Sequence, residues 1–173
     1  MSVYNTTVPC FAQMLNSLKG LLAKGQAHAA ALAFDPQNLL DSRLAPDMHT
    51  LATQVRYACT QAREAVDRLS GHALSTLETP TSMSDAVALI DQTLASLAAA
   101  DRALIERRAQ ESIVIELPNG IAFEMTGDEY APNWVTPQFY FHLMTAYNIL
   151  RHNGVPLGKA DYVPHMFAYL LKG

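Results

Sequence analysis

Charged side chains are scarce in this sequence: Asp, Glu, Lys and Arg make up 16% of its 173 residues, against about 25% in an average globular domain. The scarcity does not go with disorder, which combines low hydrophobicity with high charge; here hydrophobic residues reach 50%. There is no excess of basic charge either. The net charge of −4 offers no broad positive face to nucleic acid or anionic lipid. Long apolar runs are missing: the longest, Ala29–Phe34 and Met166–Leu171, have six residues, and a membrane span needs about 20. The first ten residues lack the basic and apolar stretches of a secretory signal. Cysteine is limited to Cys10 and Cys59. They have no paired spacing and sit among apolar residues, so both read as buried free thiols. Together these absences predict a cytoplasmic chain that binds neither membrane nor nucleic acid.

Recognisable catalytic motifs are absent too. There is no G-x-S-x-G, phosphate loop, dinucleotide glycine pattern, C-x-x-C or H-E-x-x-H. None of the six histidines lies three or four residues from another, so no single helix offers a two-histidine metal face.

What is abundant is alanine (26) and leucine (22), the strongest helix formers, in a length that suits one domain over residues 1–173. Val8, Phe11, Leu15, Leu18 and Leu22 form one stripe of a first helix from Thr7 to Ala31, with Pro9 in its first turn. A loop follows from Asp35 to Pro46. Asp47 is the expected cap of a second helix. Its stripe is Met48, Leu51, Val55, Ala58, Ala62, Val66 and Leu69, ending before Gly71, and Arg56, Arg63, Glu64, Asp67 and Arg68 lie on the opposite face. Ser82 or Ser84 caps a third helix with stripe Val87, Ile90, Leu94 and Leu97. Asp101 caps a short turn through Arg108. Two β-branched runs, Ser112–Leu117 and Ile121–Met125, flank Pro118-Asn119-Gly120 and predict a hairpin lying on the helices. Thr136 and Pro137 read as cap and first residue of a fourth helix, with stripe Phe139, Leu143, Ala146 and Leu150, stopping at Gly154. The apolar turn His165–Leu171 is expected to dock. Four amphipathic helices with one long connection predict an all-α helical bundle.

His142 is the residue of most interest. It lies beside the core stripe of the fourth helix, sharing an edge with Gln138 and Thr145. A buried histidine needs partners for its ring nitrogens, so this edge is either a ligand pocket or a satisfied core contact. His152 suits the last turn of the helix, where positive charge matches the dipole. His28 and His72 read as solvated, and His49 falls in the first turn of the second helix. Tyr140, Met144, Tyr147 and Arg151 form another strip, lining a cleft or a subunit contact. Arg43 and Asp47 bracket a turn, as an ion pair and cap or as an anion site.

Arg43-Leu-Ala-Pro-Asp-Met48, with Leu51 and Gln54-Val55 after it, resembles the second-helix signature of an uncharacterised bacterial domain family. Phe139-Tyr-Phe-His142, Thr145-Ala-Tyr147 and Leu150-Arg-His-Asn-Gly-Val155 resemble its fourth-helix signature. Val8-Pro9, Phe11 and Met14-Leu15 also fit. This family is similar to the DinB-like superfamily of metalloenzyme-type four-helix bundles, which are commonly dimeric and include thiol-dependent transferases and isomerases. The resemblance covers nearly the whole chain. It implies a DinB-like four-helix bundle with a small β-hairpin inserted before the last long helix.

In that superfamily three histidines hold a divalent metal, one from the second helix and two from an H-x-x-x-H on the last. His142 matches the second of that pair. Its i−4 position is Gln138, and Gln54 best matches the second-helix histidine. His142 is thus the only matching ligand position, and glutamine is a weak ligand for zinc or nickel. The resemblance therefore implies a degenerate metal site, left as a polar pocket with Gln54, Gln138, His142, Thr145 and Tyr147 as its candidates. The expected function is a homodimeric bundle with a small-molecule pocket. The alternative is a metal-dependent hydrolase or thiol transferase, completed by His49 or a carboxylate. A purely structural interaction module is the third. The charge deficit falls on the first and fourth helices, which carry only Lys19, Lys24 and Arg151; they are the expected places for a partner or ligand.

Overall fold

The computed structural model describes residues 2–171; Met1, Lys172 and Gly173, at the ends of the expected 1–173 domain, lie outside the described residues. The first helix, α1 (Val3–Ala31), begins ahead of the expected Thr7 because Ser2 caps it, its hydroxyl accepting the Asn5 N–H at 3.1 Å. Pro9 therefore sits in the helix interior, not the first turn. It has no N–H for the Asn5 carbonyl, and the Cys10 thiol donates to that carbonyl instead at 3.4 Å. Cys10 is accordingly half-buried rather than buried; Cys59 is enclosed, and both are free thiols.

The expected loop after Asp35 contains a short helix, α2 (Gln37–Asp41), opened by the Asp35 carboxylate accepting the Gln37 N–H at 2.9 Å. The next helix, α3 (Leu51–Ser70), starts at Thr50 and not at Asp47. The Thr50 side chain accepts from the Thr53 N–H, and the Ser42 carbonyl takes the Leu51 N–H at 2.9 Å. Asp47 stays in the preceding turn, Met48 and His49 lie outside the helix, and the Arg43 guanidinium donates to the Pro46 carbonyl at 3.4 Å in place of the expected ion pair. From Leu51 to Leu69 the stripe is buried as expected, and Gly71 ends the helix at φ +71, a conformation that favours glycine.

Ser82 caps α4 (Met83–Ala98), which buries Met83, Ala86, Ile90, Thr93 and Leu97. Val87 and Leu94 are only partly buried against the core, so the stripe is rotated by one position from the expected one. Asp101 caps α5 (Arg102–Arg107). The hairpin of β1 (Ser112–Glu116) and β2 (Ala122–Thr126) pairs Ile113 with Met125 and Ile115 with Phe123. Ile113 and Ile115 are buried, which seats the hairpin on the helices.

The start of the last long helix differs most from expectation. Thr126, not Thr136, is the cap. Its hydroxyl accepts the Glu129 N–H while the Glu129 carboxylate accepts the Thr126 N–H, a reciprocal capping box. Helical backbone then runs through α6 (Gly127–Tyr130) and a π turn (Ala131–Val135) into α7 (Thr136–His152). Thr136 itself has φ −64 and ψ −49, helical values that a cap residue does not take. Phe139, Leu143, Ala146 and Leu150 are buried as expected, and Ile149 joins them. Gly154 follows at φ +83.

Four long helices, α1, α3, α4 and α7, make the bundle. The most extensive contact is between α3 and α7, and α1 packs on α3, α4 and α7. At its centre Phe11 stacks on Phe139 with ring centroids 4.3 Å apart. The tail forms α8 (Lys159–Tyr162) and a 3₁₀ turn (Pro164–Tyr169). It docks less than expected: a single tight turn points side chains in all directions, and Met166, Phe167, Tyr169, Leu170 and Leu171 remain more than half exposed. Among the described residues no helix is long and apolar enough to cross a membrane.

Candidate functional site

The seam between α3 and α7 is where Gln54 and His142 meet. Both are buried, at 2% and 9% exposure. Gln54 lies in the first turn of α3, where its Nε2 donates to the His49 carbonyl at 3.4 Å. That contact turns Oε1 toward α7, and His142 Nδ1–H donates to it at 2.8 Å. The hydrogen bond selects the neutral tautomer with the proton on Nδ1 and the lone pair on Nε2. Nε2 has no hydrogen-bond partner among the described residues.

Burial, with smaller contributions from His49 and the Arg56 guanidinium, pushes the His142 pKa from 6.5 down to about 4. Desolvation disfavours the charged ring and nearby positive groups add to it. The imidazole is therefore uncharged at neutral pH. Aromatic rings hold it in place: Tyr57 stacks on it at 4.8 Å and Phe141 meets it edge-on at 5.3 Å. Tyr57 also contacts the His49 ring at 5.3 Å. The Arg56 guanidinium lies 4.2 Å over the Tyr57 ring, a cation–π contact, and its Nε is buried without a hydrogen-bond partner among the described residues.

The other expected residues divide. Gln138 is half-buried one turn before His142. Thr145 is buried one turn after it, with its hydroxyl donating to the Phe141 carbonyl at 2.7 Å. Tyr147 belongs elsewhere: it packs edge-to-face on Tyr162 of α8 at 5.9 Å, because five residues along a helix carry it about 140° round the axis from His142. His72 and His152 are exposed, and His28 is half-buried against Phe34.

Tyr57 and Arg56 are not among the expected site residues, and His49 enters there only as a residue completing the metal-dependent alternative. Tyr57 is three positions beyond Gln54, on the same face of α3, and that spacing was the available signal. Arg56 was hidden by its type, since arginine opposite an apolar stripe reads as a solvated face.

The donor set does not fit the metal centre that the resemblance implies. Among the described residues no group of three His, Cys, Asp or Glu side chains could hold a metal ion. His142 has one free nitrogen, and the Gln54 oxygen is already engaged by Nδ1. Three cavities open elsewhere: about 410 Å³ beside the start of α1, 560 Å³ along the loop before α4, and 380 Å³ between α1 and the tail. None of these three is lined by Gln54, Gln138 or His142.

Residues 3–163 match the family described as Domain of unknown function (DUF1993). Among solved structures, the chain is similar to the crystal structure of a DinB family member protein from Shewanella denitrificans. The two are 37% identical with a TM-score of 0.84, over 92% of this chain and 90% of that one. No curated protein matches significantly.

Proposed function

The chain belongs to the DUF1993 family and has a DinB-like helical fold, and from that premise we propose that it is a metal-free, ligand-binding bundle. The Gln54–His142 pair takes the place that a metal centre has in the superfamily. The observation that carries this reading is the 2.8 Å bond from His142 Nδ1 to Gln54. It engages the glutamine oxygen and fixes the ring proton on Nδ1, leaving Nε2 as a neutral acceptor. Such a site accepts a hydrogen bond from a small polar ligand. Gln138 and Thr145 border the same edge. The unit is one domain, cytoplasmic and homodimeric. The exposed apolar side chains of Phe141 and of Met166–Leu171 support a second copy, burying about 1,600 Å² or more. Light scattering at micromolar concentration tests this, and a strictly monomeric species contradicts it.

A second reading, a metal-dependent hydrolase or thiol transferase, is favoured by one observation: His49 is near enough to depress the His142 pKa, so two imidazoles share the site. Metal analysis of tag-free protein with added zinc or nickel separates the readings. The metal-free reading expects substoichiometric metal and no thermal shift. Stoichiometric metal that is lost in His142→Ala overturns it. A thermal-shift screen of small polar molecules then tests the pocket: a hit should weaken in Gln138→Leu and His142→Ala, and a hit indifferent to both contradicts this site.

A further inference from the structure

The π turn before α7 leaves a gap in the backbone ladder. The Thr136 N–H bonds to the Ala131 carbonyl, five residues back, and the next residue, Pro137, has no N–H. The Pro132 carbonyl therefore receives neither the i+4 nor the i+5 donor of a helical ladder. Pro132 is exposed, so this carbonyl is left open to water or to the donor of a ligand. Pro132 lies on the wall of the 410 Å³ cavity, with Val3 and Thr6 of α1, Ala131, Thr136, and Asp128. That volume is in the range of small-molecule sites, which are mostly apolar with a few placed polar groups, and π turns recur at functional sites.

The polar groups on this wall are mainly acceptors. The Thr6 hydroxyl already donates within α1, to the Ser2 and Val3 carbonyls. Asp128 Oδ2 accepts from Gln110 Nε2, and Oδ1 has no partner among the described residues. Among the described residues no lysine, arginine or histidine lines the cavity. We propose that it is a second binding site, separate from the Gln54–His142 seam, for a small apolar molecule ending in a primary ammonium group. The ammonium supplies three donors and the charge that complements Asp128; the apolar body lies against Val3, Ala131 and Pro132. An anionic ligand of the same shape meets the carboxylate and is repelled. A neutral one leaves the carboxylate without its counter-charge.

Benzylamine is the probe, with benzyl alcohol and benzoate as matched controls, followed by NMR titration of full-length protein. Saturable shifts are expected at Val3, Thr6 and Ala131, with both controls weaker by about two- to fivefold. Asp128→Asn, at an exposed position that does not threaten folding, should weaken benzylamine by a similar factor. Thr6→Phe, which fills the cavity, should abolish binding, and His142→Ala should leave it unchanged. The proposal is overturned if the shifts do not saturate, if benzoate binds as tightly as benzylamine, or if Asp128→Asn binds normally.

Discussion

Phe139 and His142 stand three residues apart on α7, and their surroundings could hardly differ more. Phe139 faces Phe11 in a contact with no polar atom, both rings fully buried. His142 faces Gln54, with its ring nitrogen bonded and its faces held by Tyr57 and Phe141. The first contact is non-directional and depends on volume and area. The second is directional, and an unpaired partner there is costly. A bundle needs the first kind in order to fold. The second contributes less net folding energy and more to fixing one arrangement of α3 against α7.

The contrast can be broken most strongly at the aromatic contact. Phe139→Ala should destabilise by about 3–5 kcal/mol in urea titration, whereas Phe141→Ala, two residues on and largely exposed, should change stability by about 0.5 kcal/mol or less.

The polar contact has a pH signature. The folded His142 pKa is about 4 against 6.5 for the free side chain, so the unfolded chain binds the proton more readily. Its contribution is complete above pH 6.5, falls with a slope of up to about 1.4 kcal/mol per pH unit as pH drops from 6.5 to 4, and levels off below. Subtracting the same titration for the double variant Gln54→Leu/His142→Leu removes the carboxylate background; an unchanged slope in that variant contradicts the assignment.

Smaller still, Gln54→Leu alone should cost about 1–3 kcal/mol by leaving Nδ1–H without a partner, and the double variant should recover part of that loss. Thr126→Ala, which breaks the capping box, should cost about 1 kcal/mol, and Thr136→Ala much less, which checks where the helical run begins.

These two regions were not equally legible in the sequence. The apolar stripe Phe139, Leu143, Ala146 and Leu150, the Asn-Gly hairpin and the Gly154 stop are local signals, and the fold follows them. The Gln54–His142 pair was legible only by alignment with the family pattern, since 88 residues separate the partners. Thr136-Pro137 misled because a proline beside a threonine normally opens a helix. Here the π turn tolerates Pro137 inside the helical run, and Thr126 with Glu129 held the true start. Tyr147 is a pocket candidate only through the fourth-helix signature, and the helix turns it toward Tyr162. Arg56 and Tyr57 escape the pattern because the polar face of α3 is covered by its neighbours: Arg56, Arg63, Glu64 and Arg68 are half-buried and Asp67 is buried.

A histidine-selective ¹⁵N NMR titration of tag-free protein, with and without equimolar zinc, tests the central claim most directly. The account predicts that His142 stays neutral with its proton on Nδ1 down to a pKa near 4, and that zinc leaves both ring nitrogens unshifted. A pKa at or above 6.5, or a stoichiometric zinc-induced shift of Nε2, would contradict it.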